Sequence, residues 1–398
     1  MITTAEARDA ILAAMPAFET ELIATSAATG RALRQSVIAE RDQPPFDRVM
    51  MDGIALAFED FSRGRRKFPI QATQAAGDEQ LALVRPNSIE IMTGAALPTS
   101  ADCIVPVEHV SLSDGNAEVE TDYAAERGRF IHYRGSDHRK GAELLQPGTR
   151  ISPMDIAIIN SCGLTELEVG KTPTVRVIST GNELVTAGEP IEPHQIRLSN
   201  GPAVIAMLAD HGYADCEHDH LVDEPDLLRH RIGDHLDNAN VLILSGGVSM
   251  GKADYIPAVL DELGVDVVFH KISQRPGKPM WFGTGPRQQA VFALPGNPVS
   301  TLVCCRQYVI PALDHASGVR ETQPDFASLA QDVTFEPRLT NFLPVRLVSN
   351  TGGQLLAMPV HTNTSGDFAS LSGTEGYIEL PLEESDFPAG TAVRLHRW

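Results

Sequence analysis

VLILSGGVSMGKAD, residues 241–254, reads as a buried strand, a glycine-rich turn and the start of a helix. Residues 241–244 are four consecutive apolar positions, the pattern of a strand covered on both faces. Ser245, Gly246 and Gly247 then break the run, and residues 253–263 take up a helical pattern. A strand that opens through glycines onto a helix turns backbone N–H groups and the positive end of a helix dipole toward one spot, which suits an anion. Asp254 sets a carboxylate beside that cradle. A phosphate next to a carboxylate suggests a bridging divalent cation, most often Mg²⁺.

The same alternation continues on both sides. VRVIS (175–179), 213–218, 265–269 and 290–294 read as strands, and 199–212, 224–236 and 298–316 as helices, the first capped by Ser199 or Asn200. Strands alternating with helices predict a three-layer α/β domain with a parallel sheet over 173–318. Three strand ends open into polar, glycine-bearing turns: VISTGNE (177–183), LILSGGVSMG (242–251) and ALPGNPVS (293–300). In an open parallel sheet all three lie on the carboxyl edge, where ligands bind. Glu183 and Asp254 would there approach a shared Mg²⁺; the other reading has them capping helices or pairing with Lys252. Ser245, Gly246, Gly247, Ser249, Pro295, Gly296 and Asn297 become candidate substrate-binding positions. HKISQRPGKPMWF (270–282) adds Lys271, Arg275 and Lys278 around a Pro-Gly turn, a receptor for an oxyanion or diphosphate.

At 398 residues the chain has room for two to four domains, and 42% hydrophobic residues supply real cores. A net charge of −20 argues against a general nucleic-acid binder and against an acidic membrane surface. An anionic substrate must therefore be held by a local cationic pocket. Five cysteines, none in a C-x-x-C pair, fit a reduced cytoplasmic chain with Cys304 and Cys305 in its core. The first apolar stretch contains Glu6, Arg8 and Asp9, as an amphipathic helix does and a signal peptide does not. No run reaches the roughly 18 apolar residues of a membrane span. Cys216, His218, His220 and Asp223 tempt as a metal site, but the histidines alternate along one strand with no second ligand pair.

Outside the α/β stretch, residues 1–40 read as a helical arm that packs on a neighbouring domain or on a second copy. With 131–172 they would form an N-terminal helical and linker domain over 1–45 and 131–172. Residues 46–130 alternate short apolar runs with turn residues and predict a β-rich subdomain, and 326–398 an all-β, barrel-like tail. The whole is a multidomain α/β plus β chain.

The motifs PPFDRVMMDG, IMTGA, YRGSD, STGNEL, SGGVSMGKADY, RPGKP and LPGNPVS, in this order, resemble the molybdopterin molybdenumtransferase (MoeA) family, which includes the gephyrin E domain. The resemblance covers nearly the whole chain. It implies that molybdate and adenylylated molybdopterin bind with Mg²⁺ or Zn²⁺ and that molybdenum cofactor and AMP leave. Carried over by motif, Asp52, Thr93, Glu183 and Asp254 stand at the catalytic positions, with Glu183 and Asp254 as metal ligands. Asp137, Asn200 and Asp223 stand at supporting positions in the cleft. Lys271, Arg275 and Lys278 would hold molybdate and phosphates, and Ser365 and Ser370 are retained in the tail motif TSGDFASL. The resemblance further implies a homodimer whose MDG and TGA segments reach the partner's cleft, and handover of product to molybdoenzymes or their chaperones. A non-catalytic scaffold of the gephyrin E type, a tungsten-inserting paralogue and an adenylyltransferase are the alternatives. The chain departs from the family pattern at RVMMDG, at Asn182 where Asp is common, at Arg275 for a frequent Lys, at Pro344 where Arg is usual with Arg346 two residues on, and at Thr374-Glu375.

Overall fold

Strand Val241–Ser245 is buried at every residue, and its two faces feed two different cores. Val241 and Ile243 pack with Val204, Leu208 and Leu313, while Leu242 and Leu244 pack with Leu228, Ile232 and Val259. This is what a sheet strand between two helical layers requires, and it is why the run lacks alternation. The computed structural model describes residues 1–247 and 255–398. Ser249, Lys252 and Asp254 lie outside the described residues.

The chain forms two compact units. One comprises residues 1–35, 147–153 and 166–398; the other comprises 36–146 and 154–165. In the first, a six-stranded sheet has the order Cys216–Leu221, Val175–Thr180, Val241–Ser245, Ala290–Leu294, Trp281–Thr284, Asp266–His270. The first four strands are mutually parallel. Trp281–Thr284 runs antiparallel to both of its neighbours, so Asp266–His270 points the same way as the parallel four. The strands expected from the sequence thus all run parallel, and Trp281–Thr284, which was not expected as a strand, makes the sheet mixed. The cause is local: only a tight turn, closed by Gly285 N–H on the Gln289 carbonyl at 2.8 Å, joins Thr284 to Ala290, too short for a helical crossover.

The helices are Asn200–Asp210, Pro225–Asn238, Ile256–Glu262, and Pro298–Cys304, which continues through a π turn at Cys305–Val309 into Ile310–Ser317. The strand expected at 213–218 starts later, at Cys216–Leu221. As an edge strand with one neighbour it tolerates Glu217, His218 and His220, which obscured its span. Neither Ser199 nor Asn200 caps its helix through a side chain; Ser199 holds the cap position without such a bond.

The expected helical arm over 1–40 is also corrected. A helix spans Thr4–Ala14, opened by a capping box between Thr3 and Glu6. Pro16 holds Met15 extended, and Thr20–Ala24 is a strand paired antiparallel with Glu166–Gly170. The helix buries Ala7 and Ile11 against the α/β core of its own chain, so its apolar face needs no second copy.

The tail closes into a barrel. Thr340–Ser349, Leu355–Pro359, Asp325–Leu329, Ala392–Arg397 and Gly376–Leu380 pair in that order, and the last pairs back to the first. Closure leaves these five strands without an open edge. The second unit is built on another six-stranded sheet, in which Gly53–Leu56 lies between Cys103–Pro106 and Ser88–Ile91 and is wholly buried. No helix among the described residues is long and apolar enough to cross a membrane.

Candidate functional site

Strand direction gathers the polar turns. Thr180, Ser245, Leu294 and His270 all end strands at one edge of the sheet, and Trp281 begins there. The turns after residues 180, 245 and 294 and the 271–280 segment therefore share the carboxyl edge, where a doubly wound sheet holds ligands.

Asn200 fastens two of these turns. Its Nδ2 donates to Ser245 Oγ at 3.0 Å and to the Gly296 carbonyl at 2.7 Å. Gly246 N–H donates to the Leu294 carbonyl at 3.3 Å, and a Cβ on Gly246, with φ +102°, would come within 2.7 Å of the Thr180 carbonyl oxygen. The glycine is therefore required by close backbone approach of the first turn to the second. Thr180 Oγ1 is buried behind this turn, with no hydrogen-bond partner among the described residues. His220 Nε2 donates to the Gly181 carbonyl at 3.0 Å, and Asp223 N–H to Asn182 Oδ1 at 3.0 Å. Asn182, where the resembled family commonly has Asp, thus serves as an anchor for its loop. Glu183 is exposed, with its carboxylate folded against Gly181. We expect Asn200→Ala to lower substrate affinity tenfold or more with little change in melting temperature, because the turns lose their cross-link while the core is untouched; calorimetric titration checks this.

The barrel contributes one predicted residue directly. Asn297 Nδ2 donates to Ser365 Oγ at 2.6 Å, and Val299 N–H to the Ser365 carbonyl at 3.0 Å. Ser370 instead spends its hydroxyl on the Asp367 carbonyl, and the Pro295 carbonyl accepts from Thr301. Pro344 is buried whereas Arg346 is exposed against Gly373, so the two do not share an environment.

The basic turn is held from beneath. Lys271 N–H bonds the Met280 carbonyl and Ile272 N–H the Lys278 carbonyl, each at 2.9 Å. Buried Gln274 donates to the Pro276 carbonyl at 2.9 Å and accepts from the Tyr308 hydroxyl. Gln274 and Tyr308 were not singled out from the sequence; the only signal was a glutamine inside a Pro-Gly loop. Arg275 and Lys278 remain exposed, with the Arg275 guanidinium 5.9 Å from the Phe335 ring.

In the second unit three predicted motifs run side by side. Leu97 N–H bonds the Asp47 carbonyl, Val49 N–H the Ala95 carbonyl and Gly94 N–H the Val49 carbonyl, while Arg48–Val49 pairs with Ile131–His132. Asp52 Oδ1 accepts from Thr93 N–H at 2.6 Å and from Thr93 Oγ1 at 2.8 Å. These bonds, the backbone one first, hold the exposed Asp52 carboxyl below the ordinary carboxylate range. Asp137 accepts from His132 Nε2 at 2.8 Å, and His132 Nδ1 meets Arg48 Nη2 at 3.0 Å. Arginine only donates, so Nδ1 is the acceptor and the ring proton sits on Nε2, facing Asp137. Arg48 and His132 are further residues that motif reading did not single out.

Among the described residues no group of three or more His, Cys, Asp or Glu forms a metal cage. His218 Nε2 meets Ser179 Oγ at 3.0 Å, and His220 holds Gly181 as described, so both rings have structural work. The one described candidate ligand is Glu183, an exposed carboxylate on the sheet edge. Its chemistry suits a hard cation that completes its shell with water and substrate oxygens.

These features define a class: a multidomain α/β and β-barrel protein whose sheet edge is shaped for an anionic ligand. Comparison with known proteins gives the family. The models for the MoeA N-terminal region (domain I and II), the probable molybdopterin binding domain and the MoeA C-terminal region (domain IV) match residues 2–163, 176–315 and 327–398. A molybdopterin molybdenumtransferase of Synechocystis is 37% identical over 100% of both chains, and one of Bacillus subtilis is 30% identical over 95% of this chain and 89% of its own. The crystal structure of a molybdopterin biosynthesis MoeA protein from Pyrococcus horikosii matches with a TM-score of 0.80 at 27% identity, over 100% of this chain and 99% of that one. The chain belongs to the molybdopterin molybdenumtransferase family, a family of transferase enzymes.

Proposed function

We propose that this transferase inserts molybdenum from molybdate into adenylylated molybdopterin, releasing AMP, in molybdenum cofactor biosynthesis. The observation that carries the reading is the meeting of three glycine turns and one basic turn on a single sheet edge, two of the glycine turns being cross-linked by Asn200. Molybdate and the pterin diphosphate are both anions, so bringing them together costs Coulomb energy. Lys271, Arg275 and Lys278 offset it locally, in a chain whose global charge of −20 opposes it. The Gly246 N–H is held by the Leu294 carbonyl, so the Gly247 end of the turn would meet phosphate oxygens beside Ser245, and Asn200, Pro295, Gly296, Asn297 and Ser365 shape the adjoining wall. Glu183 and Asp254 would hold Mg²⁺ or Zn²⁺, which supplies charge neutralisation and polarises the diphosphate. Asp52 and Thr93 form an ionised carboxylate–hydroxyl pair, and Asp137 a second acceptor oriented by His132. In a homodimer these groups would serve the cleft of the other copy. The setting would be cytoplasmic, with product passed to molybdoenzymes or their chaperones.

The test is AMP release from adenylylated molybdopterin and molybdate by the purified chain. Turnover is expected, faster with molybdate than with tungstate, and Glu183→Gln should cut it about a hundredfold or more at unchanged melting temperature. No AMP from the wild type would sink the reading, and full activity in Glu183→Gln would remove Glu183 from the metal site.

A further inference from the structure

A cavity of about 770 Å³ lies away from the sheet edge, and none of the cleft residues lines it. Its walls come from the N-terminal helix, from residues 148–150, from the far half of the helix that starts at Pro298, from the linker 319–324 and from three barrel strands. The volume is in the range of small-molecule sites. Six arginines and five carboxylates line it, in a chain where 32 Lys and Arg face 52 Asp and Glu. The acidic surface is thus locally reversed.

The inner wall is rich in donors. Glu379 is an acceptor on this wall, and His396 Nε2 donates to it at 3.0 Å. The His396 ring stacks on buried Tyr377 at 5.0 Å. Burial, helped by Arg394 and Arg306, keeps His396 below its ordinary value despite the Glu379 bond, so at neutral pH it is an uncharged donor. Arg306 uses Nε on the Arg397 carbonyl at 2.6 Å, which leaves its two terminal nitrogens for other partners. Arg394 faces Glu379 across the strand pair. Gln307 is only 8% exposed; its Oε1 accepts from the Tyr377 hydroxyl at 2.8 Å, and no bond of its amide nitrogen falls among the described residues. Arg8, on the N-terminal helix, reaches the mouth and pairs with exposed Glu321. The wall thus presents two guanidinium groups and a nearly buried amide donor beside one carboxylate, whose charge Arg394 opposes. Forked donors lining one cavity suit the oxygens of a phosphate group.

We propose that this cavity is a second anion site that takes a phosphate-bearing small molecule, with Arg306, Arg394 and Gln307 as the phosphate donors. It stands independently of the reaction assigned to the sheet edge. The test is calorimetric titration of the full chain with inorganic phosphate and with AMP. Three single variants accompany the wild type: Arg394→Gln removes a donor, Ala5→Glu places a carboxylate at the exposed mouth without touching the core, and Lys278→Gln weakens only the cleft. A binding event should survive in Lys278→Gln and weaken at least tenfold in both Arg394→Gln and Ala5→Glu. Tighter binding of AMP than of phosphate at that event would mark the ligand as a nucleotide. Phosphate and AMP isotherms unchanged in Arg394→Gln and Ala5→Glu would overturn the proposal, as would loss of all binding in Lys278→Gln.

Discussion

Asp52→Asn is expected to lower AMP release by about a hundredfold to a thousandfold while the protein stays folded, a loss of roughly 3–4 kcal/mol of transition-state stabilisation. The substitution is nearly isosteric. Its amide oxygen still accepts from Thr93 N–H and Oγ1, the two bonds that fix the side chain, so geometry is retained and only the charge goes. Thr93 holds the Asp52 carboxyl below the ordinary carboxylate range, so the group remains ionised as pH falls through that range. An acid limb of the rate profile caused by Asp52 protonation would accordingly appear only below the ordinary carboxylate range. The measurement is steady-state AMP release across pH, beside a melting curve. A variant within threefold of wild type would show that Asp52 contributes position and not charge.

The next residue behaves in the opposite way. Gly53→Ala should destabilise the second unit by roughly 3–5 kcal/mol, with activity lost through unfolding. Gly53 has φ +153°, where side chains are strained, and an added Cβ would overlap the Val105 carbonyl oxygen and lie 2.9 Å from Pro106 C and Val107 N. All of these are backbone atoms of the paired strand or of the residue that follows it, and Gly53 also pairs with Ile91 on its other side, so no flexible group is available to yield. Hydrogen exchange over Gly53–Leu56 and Cys103–Pro106 would read the loss locally. Exchange rates equal to wild type would contradict the crowding argument. Adjacent residues of one motif thus separate chemistry from architecture.

Much of the first unit was legible because its signals are local. A strand buried on both faces shows as an unbroken apolar run, and Gly246 shows as a break. The errors arose where distant pairing overrode local pattern. Residues 20–24 follow a helix in an apolar stretch, and only the partner strand Glu166–Gly170 makes them a strand. The polar edge strand Cys216–Leu221 was displaced because a single neighbour suffices to hold it. Trp281–Thr284 was hidden inside a segment read for its charge.

The candidate site divides along the same line. The sequence alone determined which groups are present: the glycines of three turns, the carboxylates Asp52 and Glu183, and the cations of the 271–278 turn. Their type and spacing are covalent facts, and glycine's tolerance of close approach is intrinsic. The tertiary structure decided what each group does. Strand direction, including one reversed strand, set the basic turn on the same edge as the glycine turns. Asn200 became a cross-link, Ser370 a local turn bond and Gln274 a buried strut, because hydrogen bonds and burial depend on partners remote in the chain. The arginine-lined cavity behind the N-terminal helix is the extreme case: its walls come from segments hundreds of residues apart, and only folding brings their charges within reach of one another.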